Sequence, residues 1–126
     1  MAQQVTGFYM VANIPKKACE KWLTSLDGKT EFCVAPDPLI TAAEFESVSG
    51  IILDPMFNHI NLTFTSEGFE KYKTVSSNLK GAEMALVISN KIVGLFRSEG
   101  RVPKRTLQIG ENMSLADLEW IHGHLN

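Results

Sequence analysis

Ile60-Asn61-Leu62-Thr63-Phe64 and, further along, Met84-Ala85-Leu86-Val87-Ile88 decide the fold of this chain. The first run alternates apolar and polar residues. Successive strand side chains point to opposite faces, so Ile60, Leu62 and Phe64 share one face, turned to a core. The second run is apolar at every position, which predicts a strand covered on both faces, in the middle of a sheet. Between the two, Thr65-Ser66-Glu67-Gly68 opens a helix that ends near Lys80-Gly81. Phe69, Tyr72, Val75 and Leu79 fall on its buried side; Glu67, Glu70, Lys71 and Lys73 fall outside. A tight turn at Asn90-Lys91 then joins Ile88 to a strand over residues 92–96. A short strand over 106–109 and a closing helix follow. Ser114 with Asp117 caps that helix, and its Leu115, Leu118, Ile121 and Leu125 stripe completes the same core.

Working toward the N-terminus, residues 58–65 pair most simply with 48–54 as a hairpin joined by Pro55-Met56-Phe57. Thr41 and Glu44 have the spacing of a capping box, which predicts a short helix over 42–47. Pro36-Asp37-Pro38 breaks a strand over 31–35. Residues 7–12 read as a strand dense in aromatic and β-branched side chains. Asn13-Ile14-Pro15 then starts a helix, because Asn caps and Pro suits the first helical position. Cys19, Trp22, Leu23 and Leu26 form its apolar stripe, and Asp27-Gly28 ends it. The expected fold class is α+β, a mostly antiparallel sheet with its helices packed on one face. The chain is expected to be a single domain over 1–126, with a strand-helix-strand extension over 1–35 packed on the rest.

Several of these runs carry a family likeness. Ile60-Asn61-Leu62-Thr63-Phe64-Thr65-Ser66-Glu67-Gly68-Phe69 resembles the strand and Ser/Thr-x-Glu-Gly helix opening of the periplasmic head subdomain of SecD/SecDF preprotein translocase subunits. Ala85 to Val93 resembles that family's central hairpin. Ile109-Gly110 followed by Met113-Ser114-Leu115-Ala116-Asp117-Leu118 resembles its entry to the final helix, and Pro38-Leu39-Ile40-Thr41 its approach to the sheet. The likeness runs over residues 36–126. Phe96 departs from it, standing where the family has a Ser-Ala-Pro bend, and Lys91 replaces the glycine of the hairpin turn. The resemblance implies ferredoxin-like α+β elements, a periplasmic location with a signal peptide removed, and protein partners; a cytoplasmic location is the alternative.

Composition narrows the function. The 126 residues are 44% hydrophobic and 21% charged, which fits one globular domain. A net charge of -2 gives no general attraction to nucleic acid. No apolar run reaches the roughly 18 residues of a membrane span, so no membrane insertion of the chain is expected. Cys19 and Cys33 have two readings, a disulfide between helix and sheet or two buried thiols.

Convergent chemistry is scarce. His122 and His124 are two apart and face different ways on a helix, and His59 lies at a hairpin. Gly94, Gly100 and Gly110 follow no phosphate-loop spacing. The expectation is a binder with no catalytic, metal or cofactor residues. Its partner-binding candidates are the basic segment Phe96, Arg97, Arg101, Lys104 and Arg105, which holds four basic residues against the single Glu99, and the hairpin tip Met56 and Phe57. Trp120 is a weaker candidate. A domain of this size with no membrane helix has the parts for stoichiometric binding, which favours an immunity or inhibitor protein that blocks a toxin or envelope enzyme. A factor contacting secreted polypeptides in protein export, and a small hydrolase or ligand carrier, are the alternatives. The oligomeric state is left open.

Overall fold

A computed structural model of the chain describes residues 6–11, 19, 22–53, 55–78, 83–97, 105–110 and 113–125. Two sheets and two helices account for most of them. Strands β1 (Gly7–Met10), β2 (Trp22–Ser25), β3 (Glu31–Cys33), β4 (Ile40–Thr41), β7 (Glu83–Ile88) and β8 (Lys91–Arg97) form the larger sheet, in the order β3-β2-β8-β7-β1-β4. Strands β5 (Phe45–Val48), β6 (Ile60–Phe64) and β9 (Thr106–Ile109) form the smaller, in the order β5-β6-β9. Helices α1 (Ser66–Asn78) and α2 (Leu115–Leu125) complete the α+β fold. The pairings are antiparallel except that of β2 with β8, which runs parallel over Thr24–Lys91 and Ser25–Ile92.

Alternation along the strands sorts the core into two layers. Phe8, Ile40, Met84, Leu86, Ile88 and Val93 leave one face of the larger sheet and meet Ile60, Leu62, Phe64 and Ile109 from the smaller one. Leu118 and Ile121 of α2 are buried in the same layer, and Phe69 and Tyr72 of α1 pack against it. Both helices therefore cover one face. The Phe8 ring is its hub, edge-on to Phe45 at 5.8 Å, Phe64 at 5.5 Å and Phe96 at 5.7 Å. The opposite face carries a smaller cluster of Tyr9, Val34, Ala85, Val87 and Ile92, backed by Val11, Leu23 and Phe32. Having apolar neighbours on both faces is why β7 can be apolar throughout: Met84 to Ile88 are all buried, and β7 lies between β8 and β1.

Two joints fix how these elements meet. Glu44, only 8% exposed, ends a 3-10 turn and reaches back to the Thr41 N–H at 3.1 Å; its other side faces the Lys71 ammonium of α1 at 2.8 Å. Burial raises the pKa of this carboxyl, but the Lys71 and Thr41 hydrogen bonds outweigh that, leaving it below its ordinary 4.5. Gly68 packs on this joint so closely that an added Cβ would stand 2.9 Å from the Glu44 carbonyl oxygen. At the other joint, Ser89 and Asn90 both have positive φ (48° and 65°), the turn whose twist matches a tight two-residue hairpin between β7 and β8.

The structure corrects part of the sequence reading. Trp22–Ser25, expected inside a helix, is strand β2, held by β3 on one side and β8 on the other. The rest of that expected helix, residues 13–18, 20 and 21, lies outside the described residues. Gly28 does take the left-handed conformation (φ 76°), but in the β2–β3 turn, where its N–H donates to the Ser25 carbonyl at 2.9 Å. The helix expected over 42–47 shrinks to Ala42–Glu44, and Phe45–Val48 pairs with β6 as a strand. Strands β1, β2 and β3 all belong to the larger sheet, with β1 inside it. Val75 and Leu79, expected on the buried side of α1, lie outside the described side chains.

Candidate binding surfaces

The β5–β6 hairpin extends well past its named strands. Beyond the pair Val48–Leu62, the Ser49 N–H donates to the Asn61 carbonyl at 2.9 Å, and the Asn61 N–H donates to the Ser49 hydroxyl at 2.9 Å. Ile52 and His59 then exchange backbone hydrogen bonds of 2.7 and 3.1 Å. The connection between Ile52 and His59 thus starts from a paired base. On it Leu53 is 73% exposed and Met56 84% exposed, while Phe57 is half-buried with its ring edge-on to buried His59 at 5.7 Å. Two large apolar side chains thus stand exposed on an anchored base.

The basic segment is arranged differently. The Phe96 ring belongs to the core against Phe8. Arg97 is the last residue of β8, and Arg101 and Lys104 lie outside the described residues. Arg105 is tied into the smaller sheet: its Nε donates to the Phe64 carbonyl at 2.7 Å and its Nη2 meets Glu46 at 2.8 Å. Its guanidinium staples β6 to β5.

Cys19 and Cys33 are joined by a disulfide with a Cα–Cα distance of 6.0 Å. His59 has its Nδ1 3.5 Å from the Phe57 carbonyl, and His124 stacks on Trp120 at 3.9 Å. Among the described residues, no group of three or more His, Cys, Asp and Glu is placed to hold a metal.

One further feature was not expected from the sequence. After Ser25 the chain turns away from β8 toward β3, and a hollow of about 260 Å³ opens beside β8, lined by Leu26, Asp27, Leu95, Met113 and Asp117 among others. Asp27 is held below its ordinary 3.8, first by the Ser25 hydroxyl and then by the Lys29 N–H. Leu95 is 38% exposed at its edge. Neither Leu53 nor Leu95 carries a local sequence mark, since their exposure follows from where the neighbouring chain goes.

No protein-family model and no curated protein matches the chain. Among solved structures it is similar to one described as a membrane component, SecDF, that enhances protein export, with a TM-score of 0.70 and 17% identity over 98% of this chain and 62% of that one. It is also similar to SecDF in a super-membrane-facing form, with a TM-score of 0.64 and 18% identity over 92% of this chain and 18% of that one. The chain therefore spans less than two thirds of either SecDF chain. Among the described residues no helix is long and apolar enough to cross a membrane. The N-terminal strands are included in the match, which is wider than the residues 36–126 that carry the sequence resemblance. In its fold, this chain is a SecD-like α+β domain.

Proposed function

We propose that the protein is a polypeptide-binding module of protein export, working on the periplasmic side of the membrane and performing no chemistry of its own. The observation that carries the reading is the hairpin tip, where Leu53 and Met56 are held in solvent on a paired base. An apolar tip of this kind suits transient contact with an unfolded chain, whose exposed side chains are apolar and whose sequence varies. The SecDF fold supports the setting, since that component is described as enhancing protein export. The test is binding of a fluorescent, carboxymethylated unfolded polypeptide to the purified protein. Leu53→Ser with Met56→Ser is expected to weaken it by about tenfold, the loss of one to two buried apolar side chains. Equal binding by the doubly substituted protein defeats the proposal.

A second reading, an immunity or inhibitor protein, rests on the anchoring of the basic segment at both ends by β8 and β9. In that reading Arg97, Arg101 and Lys104 face an acidic cleft of a toxin or envelope enzyme. Capture of a partner from envelope extract that is lost when these residues and Arg105 become Ala, yet kept when Leu53 and Met56 become Ser, favours it over the export reading.

A further inference from the structure

The ladder between β7 and β8 fixes which backbone groups of β8 face outward. The two-residue turn makes Ile88–Lys91 a pair that exchanges hydrogen bonds, and in an antiparallel ladder such pairs alternate with pairs whose N–H and C=O groups point away. Ile92, opposite Val87, is therefore outward, and its carbonyl accepts the Leu26 N–H at 2.9 Å. A bulge then inserts one extra residue in β8, so that the register passes from Val87–Ile92 to Leu86–Gly94. The next outward residue is Leu95, opposite Ala85. The far side of β7 agrees with this phase: the Glu83 carbonyl, two residues from Ala85, accepts the Val11 N–H on the β1 side at 3.0 Å. Leu95 thus turns both of its backbone groups toward the lane that β2 leaves after Ser25, and among the described residues no strand pairs with it there.

That lane runs through the hollow. Its lining combines apolar side chains (Leu26, Leu95, Met113) with two carboxylates, Asp27 and Asp117, and among the described residues includes no lysine or arginine. An unpaired N–H and C=O on one strand residue is a template for an added strand. The carboxylates select the sign of the charge such a strand would carry.

We infer that the lane beside β8 takes a short extended segment of another polypeptide, paired as an added strand to Leu95 and bearing a lysine or arginine beside Asp27 and Asp117. This rests on the polypeptide-binding reading above but uses a different surface from the Leu53–Met56 tip, so the two can fail separately.

The experiment uses the whole chain, labelled with ¹⁵N, and the capped peptide acetyl-Thr-Val-Lys-Val-Thr-amide. Saturating peptide is expected to slow hydrogen exchange of the Leu95 amide by about tenfold or more, since exchange reports closure of that one donor. The same peptide with N-methylated backbone amides, and the version with Glu in place of Lys, are expected to bind about tenfold more weakly, the effect of one lost hydrogen bond or one reversed charge pair. Asp27→Asn with Asp117→Asn should abolish the Lys-over-Glu preference. Met56→Ser should leave this binding unchanged. Unaltered Leu95 exchange, equal binding of the methylated peptide, or protection of Leu95 that rises with protein concentration alone, which would mean a second copy fills the lane, each overturns the inference. If Leu95 is protected while unfolded polypeptide ignores the tip, the tip reading falls and this one stands.

Discussion

The chain contains two hairpins built on different terms. In the β7–β8 hairpin the turn is two residues long, both in the left-handed region, and β7 is buried on both faces. In the β5–β6 hairpin one face meets the core through Phe45, Val48, Ile60, Leu62 and Phe64, and the far end opens into a longer connection with Leu53 and Met56 in water. The first is specified by packing, with Met84 to Ile88 all buried. The second has a packed root and a tip whose Leu53 and Met56 side chains are exposed. Stability and binding should therefore separate along this line, with core changes in β7 costing the fold and tip changes costing only contact.

The strongest way to break that comparison is Leu86→Ala. Leu86 is fully buried in the main core layer, so removing its branched end should cost about 3–5 kcal/mol in urea-induced unfolding. A cost under about 1 kcal/mol would mean that β7 is not the packed centre of the fold. Close behind stands the disulfide, which fastens Cys33 at the end of β3 to Cys19 across a sequence separation of 14. In the chain-entropy model a loop of that size is worth about 3 kcal/mol. Cys19→Ala with Cys33→Ala should lower stability by about that amount, measured against the oxidised wild type. Unchanged unfolding, together with free thiols in the native protein, would remove the link.

Much of this was legible in the sequence, for reasons that differ by element. The period of two in β6 and the unbroken apolar run of β7 are local patterns that directly encode which faces are covered. Ser114 and the Thr65-Ser66-Glu67 start mark their helices by capping chemistry alone, and Ser114 Oγ indeed accepts the Asp117 N–H at 3.2 Å. β2 was not legible. Trp22, Leu23 and Leu26 fit a helical stripe, and what makes Trp22–Ser25 a strand is pairing with β3 and with β8, the latter far away in sequence. Phe45–Ser47 departs from its expected helix for the same reason, its strand character coming from β6 and its bulged register. At the surface, Met56 could be suspected from the Pro55-Met56-Phe57 turn. The open backbone of Leu95 could not, because it depends on β2 turning away.

A middle-sized effect probes the root of the β5–β6 hairpin. Glu44→Gln weakens the tie between the start of β5 and Lys71 of α1, and should cost about 1–3 kcal/mol at neutral pH. Because the folded-state pKa of Glu44 lies below 4.5, its contribution is fully present above that pH and is lost as the pH falls through the folded value. The gap between wild type and Glu44→Gln should therefore be constant from pH 7 to about 5 and close in more acidic solution. A gap that widens on acidification would contradict the Lys71 and Thr41 hydrogen bonds as the dominant influence. On the other hairpin, Asn90→Gly should stabilise by about 0.5 kcal/mol, since glycine takes the left-handed conformation with less strain than asparagine, itself one of the better-tolerated residues there. Asn90→Val should cost about 1–2 kcal/mol, because a β-branched side chain opposes positive φ.

The smallest effect on stability is the most informative about function. Met56 is 84% exposed, so Met56→Ser removes little buried surface and should leave the unfolding free energy within about 0.5 kcal/mol of wild type. If the tip were merely a loop with an ill-placed methionine, that would be its whole consequence, and binding of an unfolded polypeptide would not change either. If the tip is the contact surface, affinity should fall severalfold with stability intact, and adding Leu53→Ser should deepen the loss. Phe57→Ser supplies the control, since its ring packs edge-on to buried His59 and its loss should register in the melting temperature as well. A tip variant that weakens binding only in proportion to its loss of stability would place Met56 with β7, as a residue that serves the fold, and would erase the distinction between the two hairpins.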